Sequence, residues 1–286
     1  MKFGIMFANT GHGASPAGAK AVAEAAEAGG FESIWTVEHV VVPSGYESTY
    51  PYDPSGKMAG GAEEFDLPDP LIWLTWVAAH TTNVKLATGI LIVPQRNPVV
   101  LAKELATLDH LSGGRMVLGV GAGWLAEEFA ALGVPFDDRG KRLDEYIAVM
   151  RALWAGDKTT FEGDFFQFEN CISRPRPANG TIPIVVGGHT KVAARRAGRL
   201  GDGFIPGAAS ASELAELITI ARQTAEDHGR DPDAIEISAM AGAAPGPALD
   251  ARIEELAGLG VTQAIVPTFR PDSLAEIGQT LNATYG

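Results

Sequence analysis

Hydrophobic positions in this chain fall into two alternating kinds of segment. The first is a short unbroken apolar run bounded by turn residues. Lys2–Phe7, Ser33–Val37, Lys85–Val93, Met116–Leu118, Ile182–Val186, Gly203–Pro206, Ile235–Met240 and Gln263–Pro267 are of this kind. Such runs mark strands buried on both faces. The second kind is longer and helical in spacing. It covers Pro16–Ala28, Pro70–Thr81, Val99–Leu111, Arg142–Trp154, Thr190–Leu200, Ala211–His228, Asp250–Leu259 and Ser273–Ala283, with a shorter piece from Trp124 to Leu132. Strict alternation of the two implies parallel strands joined by right-handed crossovers. Eight strand-helix units predict an α/β fold, a (β/α)8 TIM barrel. Two insertions interrupt it. A long polar loop, Val40–Asp66, follows strand two. A β-hairpin, Thr159–Phe161 with Phe165–Phe168, stands between helix four and strand five. No composition shift divides the chain, so one domain over 1–286 is expected.

The organising stretch is Asp109–Glu128, DHLSGGRMVLGVGAGWLAEE. Ser112-Gly113-Gly114 stops a helix, because glycine takes the left-handed cap conformation at little cost. A buried strand follows, then Gly119-Val120-Gly121-Ala122-Gly123. A dinucleotide fingerprint would need glycine where Trp124 stands, and it belongs at a first strand. The stretch therefore reads as the C-terminal mouth of a barrel strand. Lack of side chains there is expected to let a flat ligand approach the backbone.

Composition narrows the partners. The chain has 286 residues, 46% hydrophobic and 20% charged, an ordinary globular balance. A net charge of −13 argues against nucleic acid. No apolar run reaches bilayer length, so no membrane partner is expected. The single Cys171 suits a reducing cytoplasmic setting. The N-terminus reads as a first strand rather than a signal peptide.

Chemistry in such a barrel sits where strands run into helices. That rule selects Ala8-Asn9, Glu38-His39, Thr88-Gly89-Ile90, Gly121–Glu127, Gly187–Thr190, Gly207, Met240 and Thr268–Arg270. Histidine is the natural proton carrier among side chains, which makes His39 a candidate, and a carboxylate beside it such as Glu38 would tune it. The competing reading is a hydrogen-bonded structural histidine. Gly187-Gly188-His189-Thr190 precedes a helix, where free N–H groups and the positive helix end bind phosphate. The competing reading is a plain turn with Thr190 as cap. The Val40–Asp66 loop holds Tyr46, Tyr50 and Tyr52, and its length suits a lid. A loop with a small aromatic cluster of its own is the other reading. The histidines lack metal-ligand spacing, so no metal site is expected. GxSxG and GxxxxGK motifs are absent.

Several stretches together resemble the luciferase-like monooxygenase superfamily, in particular its coenzyme F420-dependent oxidoreductases. They are FESIWTVEHVVVP, YPYDPSGK, the run from DPLIWLTW to GVGAGWLAEEF, ALGVPFDDRGKRLDEY and IPIVVGGHTKVAARRAGRLGDGF. The resemblance implies a deazaflavin, coenzyme F420, or alternatively FMN, at the barrel mouth. It places the cofactor phosphate at Gly187, Gly188, His189 and Thr190. It backs the ring with a bulge at Thr88, Gly89 and Ile90, and puts a non-proline cis peptide between Gly89 and Ile90. Gly121 and Gly123 complete the expected cofactor set, and His39 and Glu38 are the catalytic candidates. The implied reaction is hydride transfer to or from a small organic substrate, in a homodimer. An FMN monooxygenase and a flavin-binding protein without turnover are the alternatives. Two departures stand out. Relatives carry Asp-His where this chain has Glu38-His39. Sugar-phosphate dehydrogenases of the family carry glutamate where Trp124 stands.

Overall fold

The computed structural model describes residues 1–207, 210–242, 246–268 and 270–286. In chain order the elements are β1 (Lys2–Met6), α1 (Pro16–Ala28), β2 (Ser33–Thr36), α2 (Pro70–Ala78), β3 (Lys85–Thr88) and β4 (Leu91–Ile92). Then come α3 (Pro98–Ser112), β5 (Met116–Gly121), α4 (Ala126–Ala131), α5 (Arg139–Ala155), β6 (Thr159–Glu162) and β7 (Gln167–Cys171). The last are β8 (Ile184–Gly188), α6 (Lys191–Leu200), β9 (Gly203–Pro206), α7 (Ala211–Asp227), β10 (Glu236–Met240), α8 (Pro247–Gly258), β11 (Gln263–Pro267) and α9 (Pro271–Tyr285).

The barrel closes as the alternation predicts. Parallel pairings run β1–β2, β2–β3, β3–β5, β5–β8, β8–β9, β9–β10, β10–β11 and back from β11 to β1. This is a closed eight-strand parallel barrel with helices around it, the predicted α/β architecture. Both insertions are present where the sequence puts them. The hairpin pairs β6 with β7, but β7 starts later than Phe165. Phe165 and Phe166 turn instead toward α5, where Arg142 lies over the Phe165 ring and Tyr146 meets Phe166 edge to face. Glu145 of α5 accepts the N–H groups of Asp164, Phe165 and Phe166, which fixes that turn.

Strand alternation is hidden inside the apolar runs because both faces are buried. Ile5, Ile34, Leu86, Leu118, Val186 and Phe204 face the helices. Met6, Trp35, Ala87, Val185, Ile205 and Ile265 fill the barrel. Trp35 fits because β1 offers Gly4 opposite it: a Cβ there would lie 3.0 Å from Trp35 Nε1. The indole donates to Ser33 Oγ, which also accepts from Gln263 Nε2, so the barrel floor is hydrogen-bonded across strands. Several helices start one to three residues before the sequence reading has them, at Pro98, Arg139, Pro247 and Pro271. Asp69, Asn97 and Thr190 each accept first-turn N–H groups with proline or a short turn behind them. Gly113 ends α3 at φ 75.

The loop from α2 to β3 is fixed by one carboxylate at the end of α1. Glu27 accepts the N–H groups of Thr82, Asn83 and Val84, the Thr82 hydroxyl and the Asn83 amide. Partial burial pushes this carboxyl up, but the Val84, Thr82 and Asn83 donors outweigh it and hold it at about 2, against an ordinary 4.5. A depressed folded-state pKa stabilises the fold above the unfolded value and loses that stability as pH falls through the folded one. Glu27→Gln is therefore expected to lower the midpoint of urea unfolding at pH 7. The gap to the wild type should shrink as pH falls from 4.5 toward 3. An equal gap at pH 7 and pH 3 would show that the ionised form contributes nothing.

Candidate active site

β2 ends at Thr36, so residues 37–39 leave the strand and no longer alternate. Asn9, fully buried, holds that exit. Its amide donates to Val37 and Pro68 carbonyls, and its carbonyl accepts the Val37 N–H. Glu38 and His39 then diverge. Glu38 is buried and accepts from the Ile92 N–H and the Arg96 guanidinium. Burial pushes its carboxyl up, while Arg96 and the Ile92 N–H pull against that. Arg96 also reaches Asp69, the cap of α2. Glu38 is thus a strut between β2, β4 and α2. It does not reach His39, contrary to the tuning role read from their adjacency.

The partner of His39 is Glu128 of α4. His39 Nδ1 lies 3.0 Å from Glu128 Oε2, with the carboxylate 1% and the imidazole 13% exposed. The other oxygen accepts the Val40 and Val41 N–H groups. Burial pushes the Glu128 carboxyl up, but the His39 hydrogen bond and charge bring it below the ordinary range. An ionised carboxylate only accepts, so Nδ1 carries the proton and Nε2 is the nitrogen left for a ligand. The sequence placed Glu128 near the site but gave no sign of its partner, 89 residues away.

β3 breaks after Thr88 and resumes as β4 at Leu91. The Gly89–Ile90 peptide is cis, where the resemblance placed it. Thr88 is fully buried and donates to the Gly119 carbonyl; it supports the bulge from beneath. Ile90 projects into the mouth, and the neighbouring glycines serve it. A Cβ on Gly121 would lie 2.1 Å from Ile90 Cδ1, and one on Gly187 would lie 2.6 Å from its Cγ2. These two positions are therefore bare so that Ile90 can seat between β5 and β8. From the sequence, Ile90 is the expected contact surface for the ring, but its link to bare positions 121 and 187 is not visible there. Gly123, at φ 87, has a different reason: its Cβ would strike Phe129 and Ile92.

β8 ends in Gly187 and Gly188, and α6 starts one residue after the Thr190 cap. Gly188 has φ 143, a conformation glycine adopts readily, and its Cβ would meet Ala193 at 2.7 Å. Arg196 lies one turn along α6, buried, bound to Asp144 and the Gly140 carbonyl.

The long loop has a built half. Tyr46, Met58 and Leu125 form a satellite core, and the Met58 N–H donates to the Tyr46 hydroxyl. Glu127 accepts the Glu47 and Ser48 N–H groups, and Ser48 accepts the Ala126 N–H. Beyond this clasp, Tyr52 crosses the mouth to pack on Gly207 and meets His189 edge to face.

These elements enclose a cleft of about 1200 Å³ at the C-terminal mouth. Glu38, His39, Gly89, Ile90, Gly121, Gly123, Gly187, Gly188, His189 and Thr190 all line it; Thr88 does not. Phe269, grouped with the mouth residues in the sequence, lies outside the described residues. The sequence reading missed Phe7 and Arg139; Arg196, which it offered as a helper at the phosphate turn or as part of a solvated helix face, is buried against Asp144 instead. Phe7 could not be read from sequence, since its φ of 64 at the end of β1 turns an aromatic ring outward. Arg139 sits in the FDDRGKR run; it donates to the Gly123 and Phe136 carbonyls and covers the Phe136 ring. Among the described residues no cluster of three His, Cys, Asp or Glu could hold a metal. No described helix is long and apolar enough to cross a membrane.

Comparison with known proteins agrees with this architecture. The chain is 35% identical over 250 residues to the uncharacterized protein Rv0940c of Mycobacterium tuberculosis, covering 86% of this chain and 83% of that one. It is 33% identical over 217 residues to a Kineococcus radiotolerans protein named F420-dependent glucose-6-phosphate dehydrogenase, covering 74% of this chain and 59% of the relative. In fold it is similar to the coenzyme F420-dependent tetrahydromethanopterin reductase of Methanopyrus kandleri, with a TM-score of 0.79 at 19% identity over 100% and 99% of the chains. An F420-dependent secondary alcohol dehydrogenase in complex with an F420-acetone adduct gives the same score at 20% identity and the same coverage. The sequence model of the luciferase-like monooxygenase family matches residues 1–277, and the chain belongs to that family.

Proposed function

We propose that this protein is an F420-dependent oxidoreductase acting on a small organic substrate. The observation that carries the reading is the pairing, across one cleft, of a glycine turn at a helix N-terminus with an acid-held histidine. The residues fit a flavin-like group. A cradle of Gly187, Gly188, His189 and Thr190 faces the cleft, and bare Gly188 lets it close on Ala193 in the first turn of α6. First-turn N–H groups and the helix dipole favour an anion there. Ile90, Gly89, Gly121 and Gly123 offer the apolar floor on which the ring would lie. F420 supplies hydride transfer without oxygen activation. The relatives named for F420 support it over FMN.

In this reading His39 moves the proton. Glu128 fixes the Nδ1–H tautomer and the ring orientation, so Nε2 exchanges a proton with the substrate oxygen. Glu38 acts through position: its pairing with Arg96 and Ile92 fixes the exit of β2 that presents His39. Tyr52 covers the phosphate end and limits water. The chain works in the cytoplasm as a homodimer. Exposed Ile72 and Trp76 of α2 and Val99 and Val100 of α3 form an apolar face suited to a second copy.

The deciding experiment is a fluorescence titration with F420 and with FMN, side by side. F420 is expected to bind tighter; tighter FMN binding would transfer the reading to the monooxygenase alternative. Gly188→Asp places a carboxylate at the anion cradle, and F420 affinity should fall by at least about tenfold, roughly 1.4 kcal/mol. Unchanged affinity in a folded variant would move the phosphate elsewhere. His39→Ala should lower kcat by about 100- to 10,000-fold. Glu128→Gln should keep F420 affinity, lower kcat and shift the pH–rate profile. An unaltered profile would leave Glu128 with a purely structural part. Trp76→Glu should convert the dimer to monomer in light scattering; a dimer that persists would put the interface on another face.

A further inference from the structure

The cleft has one aromatic wall whose centre, Trp124 and Tyr50, has no part in holding the cofactor. Five rings run edge to face along it. His39 meets Trp124 at 5.8 Å, Trp124 meets Tyr50 at 5.2 Å, Tyr50 meets Tyr52 at 5.4 Å, and Tyr52 meets His189 at 5.3 Å. The chain of rings thus joins the proton-carrying histidine to the glycine turn. All five residues line the cleft. Phe7 adds a sixth ring from β1. It is 43% exposed, and its φ of 64 is rare for a bulky residue. Strained backbone of this kind collects at ligand sites. An aromatic ring held half-exposed in a strained conformation gains little for folding, and it gains much if a ligand covers it.

The charges point the same way. Arg139 and Arg196 are the described cations lining the cleft, and no lysine does so. Both are committed. Arg139 is held by two carbonyls and the Phe136 ring. Arg196 is held by Asp144 and the Gly140 carbonyl. Glu38, Asp66 and Asp137 also line the cleft, Glu38 paired with Arg96. Among the described residues, a second phosphate beyond the one at the glycine turn would meet one arginine without an acidic partner, Arg139, already bound to two backbone carbonyls, against three acids, Glu38, Asp66 and Asp137. Trp124 adds bulk and no charge beside His39.

We propose that the substrate is an uncharged aromatic carbonyl compound, or the corresponding aromatic alcohol, stacked on the wall of Trp124 and Tyr50 with its oxygen toward His39. The proposal rests on the F420 reading for its chemistry, and on the wall itself for its recognition. In the reducing direction the C=O π bond breaks. The carbon gains a hydride from the reduced deazaflavin, which is oxidised, and the oxygen gains the proton from His39. The reverse direction returns the hydride to oxidised deazaflavin and the proton to His39. Aromatic pairs prefer offset or edge-to-face contact, and the wall offers both faces and edges.

Calorimetric titration of the F420-loaded protein with acetophenone, acetone and glucose 6-phosphate tests this. Acetophenone is expected to bind at least about tenfold tighter than acetone. Glucose 6-phosphate should give no binding. Trp124→Ala should weaken acetophenone by about tenfold and change F420 affinity less than about twofold, while Trp124→Phe should restore most of the loss. Tyr50→Ala should act in the same direction and guards against a folding defect in the tryptophan variants. Tighter binding of glucose 6-phosphate, or acetophenone binding indifferent to both substitutions, would overturn the proposal. If F420 itself does not bind, the cofactor reading fails. The same three titrations on the cofactor-free protein then still decide the recognition by the wall.

Discussion

One side chain needs space at the centre of the barrel mouth, and much of the sequence gives way to it. Ile90 enters between β5 and β8, and only glycine at 121 and 187 leaves it room. Gly119, one layer below, yields to the Thr88 carbonyl, 1.8 Å from where its Cβ would be. Broken β3, Gly119 and Gly121 of the run GVGAG, and Gly187 are therefore one packing solution, while Gly123 and Gly188 make room for Phe129 and Ala193. Bulges of this kind re-aim side chains at the rims of barrels. Here the result is an apolar knob at the centre of the cleft, ringed by backbone.

His39 depends on a second, independent arrangement. Glu128 is buried at the start of α4 with three donors converging on it: His39, Val40 and Val41. A carboxylate this buried is tolerated because its oxygens are satisfied. The same three bonds align the imidazole and turn the chain into the long loop. Glu38, although adjacent to His39, serves the opposite wall through Arg96 and Asp69.

The barrel was legible because its signals are local. Apolar runs, the Thr190 cap and the Gly113 stop each act within a few residues. The site was legible in part for the same reason: glycine before a helix and a histidine after a strand are positional signals. The remainder depends on contacts distant in sequence. Nothing in VEHVVV shows that residue 128, not residue 38, meets the imidazole. Nothing in GIMFAN shows that Phe7 takes a left-handed conformation. Glycines at 121 and 187 look like openings until Ile90 is placed against them, which needs the register between β4, β5 and β8. The break in β3 was visible as a glycine inside a strand pattern. The early end of β2 at Thr36 was not, since Val37 continues the apolar run.

The clasp between α4 and the long loop bears on how such a scaffold can be re-purposed. Glu128 holds residues 40 and 41, and Glu127 holds residues 47 and 48, so the first part of the loop is bolted to a barrel helix. Tyr46 and Met58 re-anchor the chain on the far side, joined by a backbone-to-hydroxyl hydrogen bond. The segment from 49 to 57 is a cassette between two fixed posts. Its residues can be exchanged, lengthened or randomised while the histidine keeps its carboxylate and the barrel its closure. Tyr50 and Tyr52 of the ring wall thus lie on a piece of chain separable from His39 and Glu128, and a library confined to those nine positions would vary part of the wall without touching the His39–Glu128 pair.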